Sequence, residues 1–337
     1  MAQQWFSQLF GFEEASYGET RSRFEVQGEV LRSLANDRSF QIGRFSTPSL
    51  ASLRERAQSV PRGRITVTHE VIGDVLELHA EPSNAGALFQ VASQFNCLEF
   101  CDPRQVPEDG VTDYASDPTQ GPACSLAAAA ATVYRNYFAG VDGVAGQTTD
   151  RQLNNLDDLG RALGTPAEFF EVRGGYTWSD EARLEKLARE LATRDRSALT
   201  GLVKVGLQED VGVTFARRFV EPQQAATVSQ VFCSALSCGY NSIDNALWTP
   251  LATIALDAAY EATLLAAAVI PPRPSAPRRV WLTALGGGAF GNRKEWIGTA
   301  IGRALVRAAD LPLDVRIAHF RRQDRELTDY IQLAMSP

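Results

Sequence analysis

The chain has 337 residues, 45% hydrophobic and 22% charged, enough to bury a large core in one sizeable domain or two. Its net charge of −7 excludes a protein that wraps nucleic acid, because no basic excess exists to replace counterions, and Arg278-Arg279 and Arg321-Arg322 read as solvated surface. Cys97, Cys101, Cys124, Cys233 and Cys238 form no CxxC and, with only His69, His79 and His319 beside them, no zinc pattern. Reduced thiols, a cytoplasmic setting and no metal or cofactor are therefore expected.

The opening stretch MAQQWFSQLFGFEE lacks the basic and continuously apolar regions of a secretory signal. Trp5, Phe6, Leu9 and Phe10 predict instead a short amphipathic helix packed on the domain. No window approaches the length of a membrane span, so no membrane partner is expected. Residues 23–31 and 40–45 flank a turn-like Ala35-Asn36-Asp37-Arg38 as a hairpin, 49–57 reads as a short helix, and 64–71 with 75–79 reads as a second strand pair. Residues 1–80 are thus predicted to be a β-rich extension, supplying sheet edges or a lid, packed on a core of residues 81–337 in one compact unit.

Residues 87–93 form an apolar strand that runs into Gln94-Phe95-Asn96-Cys97-Leu98-Glu99, a polar and aromatic cluster at its end. A loop rich in Gly, Asp and Pro follows over 102–119. Gln120-Gly121-Pro122 closes it, with Pro122 suited to the first position of a helix over 123–138. That helix begins with small residues, which let it sit close to a sheet or a ligand. Residues 140–200 read as a helical insertion, with Leu153, Leu156, Leu159 and Leu163 at helical spacing and Ser179 as a helix cap. Strands are expected over 202–207 and 211–215, and a buried one over 228–236 ending in Cys238-Gly239-Tyr240-Asn241. The next helix carries Leu247, Leu251, Ile254, Ala258, Ala262 and Leu265 on one face and is stopped by Pro271, Pro272, Pro274 and Pro277. Its Asp257 and Glu261 read as solvated surface. After it come a strand over 280–285, the run Gly286-Gly287-Gly288-Ala289-Phe290-Gly291, and a helix whose Asn292 and Glu295 have capping-box spacing. A last strand covers 313–320.

The strand–helix alternation of the latter half predicts an α/β sheet with helices on both faces, in which ligands sit at the carboxyl ends of strands. Three strand ends, 94–99, 238–244 and 286–292, are expected to face one crevice. Strand, glycine loop and helix N-terminus bring bare N–H groups and a positive dipole end together, which suits a phosphate. Gly286, Gly288 and Gly291 spell G-x-G-x-x-G, and Asp310 and Asp314 lie near where a dinucleotide fold needs its acid. Too little chain remains after them for that fold. Asn292 and Arg293 stand where a P-loop needs lysine, and a ligand-free glycine turn stays open.

The strand, the Gly-Gly-Gly-Ala-Phe-Gly loop and the helix resemble the second phosphate-embracing loop of macrodomains. The alanine-rich helix before that strand and FQVASQFN over 89–96 resemble further segments of that family, in the same order, over residues 80–320, and the resemblance implies its three-layer α/β/α fold with a mixed sheet. Two departures stand out: the first loop lacks the family's glycine run, and Phe89 and Gln90 stand near where an aspartate reads adenine. ASQFN-x-LE, D-x-TQGPA and LGGGAFGN together look most like a divergent branch. That branch includes a bacterial effector macrodomain that removes ADP-ribose from arginine on ubiquitin.

The resemblance implies that residues 286–292 (Gly286, Gly287, Gly288, Ala289, Phe290, Gly291 and Asn292) wrap the pyrophosphate of ADP-ribose, with Phe290 packed on the ligand. Gln94 and Asn96 then meet the distal ribose, with Phe95, Gln120 and Gly121 completing the ligand site. Cleavage at C1″ passes through an oxocarbenium-like state that needs negative charge and a positioned water. Asp117 and Asp113 are the candidates, with Glu99 behind them and Asp244 to pair a guanidinium. Each has a plainer reading: Asp113 and Asp117 as turn formers, Glu99 as a cap or ion partner, Asp244 as cap of the long helix. The functional expectation is an ADP-ribosylhydrolase, metal-independent and acting on arginine-linked mono-ADP-ribose on a protein, ubiquitin among the possible ones. The alternatives are a non-catalytic ADP-ribose reader and a nucleotide-dependent oxidoreductase.

Overall fold

The computed structural model describes residues 4–164, 168–216, 219–221, 225–271 and 278–336. Seven strands make one sheet: β1 (Arg44–Ser46), β2 (Thr66–Ile72), β3 (Leu88–Ala92), β4 (Gly206–Gly212), β5 (Thr227–Cys233), β6 (Arg278–Leu282) and β7 (Leu313–Phe320). Their order is β1-β4-β5-β3-β6-β7-β2. From β5 to β2 all pairs are parallel, while β4 pairs antiparallel with both β5 and β1. Both edge strands come from the first 80 residues.

Period-two alternation explains the layers. Leu88, Val231, Val280 and Leu282 enter one core, whereas Phe89, Val228 and Trp281 enter another on the opposite face. The first core is closed by helices including Asn245–Val269, Lys294–Arg307 and Arg325–Met335, and the second face by Val75–Ala80, Gln120–Ala127 and Ala129–Tyr137. The fold is a three-layer α/β/α with a mixed sheet.

Trp5–Phe10 is the expected helix, and Trp5, Phe6, Leu9 and Phe10 are all buried. They pack with Val111, Tyr114, Val133 and Tyr137. Behind them the Glu14 carboxylate accepts from the Val111 and Thr112 N–H groups (2.9 and 2.7 Å) and from the Tyr137 hydroxyl (2.7 Å). Trp5 Nε1 donates to the Thr112 carbonyl at 2.8 Å, so the N-terminal segment pins the loop that precedes Asp117.

Several local expectations are corrected. Residues 75–80 are a helix, because Asp74 caps it by accepting from Leu76 N, and β2 pairs with β7 instead. The early hairpin is a three-stranded meander, Phe24–Gln27, Val30–Ser33 and Ser39–Gln41. Leu202 ends a helix, and 206–212 is one strand with an irregularity between Gln208 and Val211. The helix expected over 123–138 begins at Gln120 and breaks at Ala128. Asp180, rather than Ser179, caps its helix. Arg293 takes the N-cap position before Lys294 with no side-chain cap bond, so the Asn292–Glu295 box does not form. Pro272, Pro274 and Pro277 lie outside the described residues.

The long helix Asn245–Val269 does have the length and apolarity of a membrane span, with mean hydropathy 1.4, against the sequence expectation. Of its 18-residue apolar window 83% is buried in the protein, the position of a core helix. Asp257 and Glu261 are not solvated surface either. Both are buried; Asp257 is bridged by Arg196 and Arg303, Glu261 by Arg54 and Arg307. Desolvated carboxylates persist there because guanidinium groups from three other helices neutralise them, both on Oδ2 in the case of Asp257.

Candidate functional site

The carboxyl ends of β5, β3 and β6 lie side by side, and a cleft of about 250 Å³ opens over them. Its floor is Ala92 at the end of β3 with Ser93 and Gln94 beyond it, Ala235 beyond β5, and Thr283, Ala284 and Leu285 beyond β6. Gly286, Gly288, Ala289 and Phe290 form one wall, and Glu99, Asp117, Thr119, Gln120 and Gly121 line it as well. The crevice expected from three strand ends is present.

The glycine loop is shaped from within. Gly286 has φ +72°, and a Cβ there would lie 2.4 Å from Ala235 Cβ. Asn292 N donates to the Gly286 carbonyl at 2.9 Å, and Asn292 Nδ2 donates to Leu236 O at 2.7 Å, tying the loop to the end of β5. Among the described residues, the N–H groups of Gly288, Ala289 and Phe290 donate to no protein acceptor. Three unspent donors on one loop are what an anionic ligand requires. Phe290 closes the wall with Tyr176 and Tyr240, their ring centroids 5.3 to 5.8 Å apart.

Across the cleft Gly121 brings its helix against β3. A Cβ there would stand 1.9 Å from the Ala92 carbonyl oxygen and 3.0 Å from Glu99 Cγ. Gln120 acts as a false strand: its side chain accepts from Ala92 N and donates to Gln90 O, both at 2.8 Å. Glu99 is buried, with Oε2 accepting from Ser125 Oγ at 2.6 Å and Oε1 bonded to nothing. Burial pushes its carboxyl up to about 7, against the pull of the Arg135 guanidinium and the Ser125 hydroxyl. Asp117 is half-buried and accepts from Thr119 N at 2.8 Å. Its charge, after burial, helps raise the Cys101 thiol to about 11 and the Tyr240 hydroxyl above its usual range.

The structure therefore gathers Glu99, Asp117, Gln94, Gln120, Gly121, Gly286, Gly288, Ala289 and Phe290 in one place. It does not gather the rest. Asp113 is exposed and lines a neighbouring groove that shares only Cys101 with the cleft. Asp244 is exposed and caps the long helix through Ala246 N, the plainer of its two readings. Phe95 is a core residue, and Asn96 is buried, donating to Gln152 and accepting from Leu98 N. Gly287 packs against Ile297, Gly291 lies against Gly239, and Asn292 is the internal tether just described. Gln94 reaches the cleft with its amide engaged by Phe100 and the Tyr176 hydroxyl. Asp310 and Asp314 are ion partners of Arg62 and of Arg279 with Arg316, and neither lines the cleft.

Sequence reasoning missed Tyr176, Tyr240 and Arg135. Tyr240 lay inside a flagged strand end. Tyr176 follows Gly174-Gly175 in a hairpin of the insertion, with nothing local to mark it. Arg135 was visible as a lone cation in an alanine-rich run. Among the described residues no group of three or more His, Cys, Asp or Glu is placed to hold a metal ion.

No protein-family model and no curated protein matches the sequence. Solved structures similar to it include poly(ADP-ribose) glycohydrolase from Deinococcus radiodurans in complex with ADP-ribose, at 12% identity and TM-score 0.48, over 87% of this chain and 93% of that one. Another is poly(ADP-ribose) glycohydrolase from Thermomonospora curvata bound to the inhibitor ADP-HPD, at 11% identity and TM-score 0.44, over 94% and 96%. Likeness of this degree assigns neither activity nor residue roles.

Proposed function

We propose that this protein is an ADP-ribosylhydrolase that holds ADP-ribose in the cleft and hydrolyses the C1″ bond joining it to a protein side chain, with arginine as the acceptor. One observation carries the reading: the glycine loop with the unspent N–H groups of Gly288, Ala289 and Phe290 lines a single cleft together with Asp117 and the buried Glu99, whose Oε1 has no partner. Donors on one wall match a pyrophosphate, and carboxyl groups on the other match an electron-poor ribose. The macrodomain resemblance of the glycine loop points the same way.

In the proposed reaction the C1″–N bond of an ADP-ribosylated guanidinium breaks, and the neutral guanidine leaves with the bond's electron pair. The charge developing on C1″ faces Glu99. Water adds its oxygen to C1″ and passes a proton to Asp117, which returns it through solvent to the guanidine. No metal ligand of the chain is called on. Asp244 and Asp113 are assigned no step.

A non-catalytic reader is the second reading, favoured by Asn96, which faces Gln152 rather than the cleft. Two measurements separate the readings. Calorimetric titration with ADP-ribose and NAD tests the ligand, and clear preference for NAD would sink both. Incubation with arginine-, glutamate- and serine-linked mono-ADP-ribosylated peptides, and with ADP-ribose polymer, tests the reaction. Release from arginine is expected, with a loss of about 10²–10⁴-fold in Asp117→Ala and ADP-ribose affinity retained. Tight binding without release from any substrate would establish the reader.

A further inference from the structure

We propose that Arg135 is the positioning residue of the cleft, locking Glu99 Oε2 from the core side and leaving Oε1 as the free oxygen of a buried carboxyl in the cleft lining. The inference rests on the cleft reading above only for what Oε1 meets. The lock itself is a matter of contacts.

Arg135 sits in the helix Ala129–Tyr137 with no exposed surface. Its Nη2 donates to Ser125 Oγ at 3.0 Å and to Thr132 Oγ1 at 3.1 Å. Ser125 Oγ in turn donates to Glu99 Oε2, and Nη2 stands 3.8 Å from that same oxygen. Nη1 donates to Gln208 Oε1 at 3.2 Å, and the guanidinium carbon lies 3.7 Å from the centre of the Phe232 ring. Every other acceptor around the cation is neutral, which leaves Glu99 as its one anionic partner among the described residues.

The same guanidinium also fixes the backbone that carries Glu99. Its Nε donates to the Cys97 carbonyl at 3.1 Å, and Cys97 is a non-glycine residue at φ +63°. Such a residue keeps its left-handed conformation only where its surroundings hold it. Arg135 therefore grips the turn two residues before Glu99 as well as the far side of its carboxyl group. With Oε2 occupied from behind, Oε1 is the unpartnered atom of a nine-tenths-buried side chain that lines the cleft. The other titratable groups facing Glu99 are Tyr114, whose hydroxyl accepts from Glu99 N, together with Cys97, Cys124 and, beyond Tyr114, Glu14. None of them is a cation.

The test reads Glu99 directly. Carboxyl ¹³C shifts are followed against pH in wild type, Arg135→Met, Arg135→Lys and Ser125→Ala, with the Glu99 signal identified by its absence in Glu99→Gln. The Glu99 midpoint should rise by about one pH unit or more in Arg135→Met, and Arg135→Lys should recover most of that shift. The pH inflection of ADP-ribose affinity should move with it. A folded Arg135→Met protein whose Glu99 midpoint stays put would overturn the proposal. If Arg135→Met fails to fold, Ser125→Ala decides it, because Ser125 Oγ relays Nη2 to Oε2: the Glu99 midpoint should rise there, and an unmoved one overturns the proposal. A protein that binds no ADP-ribose would refute the cleft reading while the carboxyl titration still judged the lock.

Discussion

Replacing Gly121 with alanine sets two opposed effects against each other. Gly121 is helical with ordinary φ, so alanine there removes backbone entropy from the unfolded chain and favours the helix by about 1 kcal/mol. The added methyl would, however, lie 1.9 Å from the Ala92 carbonyl oxygen, which is backbone of a central strand and cannot rotate away. The helix must retreat by more than 1 Å, roughly the difference from an ordinary contact of about 3.5 Å. Overpacking of this kind costs about 1–3 kcal/mol. Retreat also stretches the two Gln120 bonds to β3, each worth about 1 kcal/mol. The balance is a loss of about 2–4 kcal/mol, or roughly 3–6 °C in Tm for a chain of this size. Urea unfolding of wild type and Gly121→Ala measures it, and ADP-ribose affinity should fall too, because Glu99 Cγ is the next neighbour at 3.0 Å. An alanine variant as stable as wild type would refute the account of how this helix is seated.

Three further outcomes follow from the cleft. Glu99 binds its proton more tightly folded than unfolded, so its contribution to stability is full below pH 4.5 and is lost as pH rises towards about 7. Glu99→Gln should flatten that part of the stability–pH curve in denaturant titrations, and an unchanged slope would contradict the assignment. Gly286→Ala, strained at φ +72° and blocked by Ala235, should weaken ADP-ribose binding at least tenfold by calorimetry while the Tm falls by only a few degrees. Excess EDTA should leave release from arginine-linked substrate unchanged, and a loss restored by one divalent metal would require a different mechanism.

The legible parts of this fold are those whose signal is local. β3, β5 and the second half of β6 are buried parallel strands with short apolar runs, β7 alternates buried and half-buried residues, and the long helix carries an unbroken apolar face. Residues 75–79, Val-Leu-Glu-Leu-His, alternate like a strand, and only the Asp74 cap and the packing of Leu76 and Leu78 decide for a helix. Asp257 and Glu261 misled for the opposite reason. Their partners Arg54, Arg196, Arg303 and Arg307 lie 46 to 207 residues away, where no helical periodicity can see them.

The candidate site divides along the same line. The glycine loop announced itself because left-handed backbone demands glycine, at Gly286 and again at Gly291. Asp113 and Asp117 looked alike in a loop of turn formers, yet only one faces the cleft. Four residues of turn decided which. Arg135 and Tyr176 belong to the site only through tertiary contacts, with Cys97 and Ser125 for one and with Gln94 and Phe290 for the other.

The clamp that Glu14 and Trp5 place on the loop at residues 111–112 also bears on how the chain is made. The two partners are 97 to 107 residues apart. At about 5–20 residues per second, the ribosome takes roughly 5–20 s to deliver the second after the first. Through that interval Trp5, Phe6, Leu9 and Phe10, all buried in the finished protein, have no partner from the helices at 120–137 to cover them. Closing so distant a contact adds little to the equilibrium cost, since loop entropy grows only with the logarithm of length. Its cost falls in time. The aromatic knot around Trp5 stays uncovered for that interval, and the loop that bears Asp117 is pinned only once both partners are made.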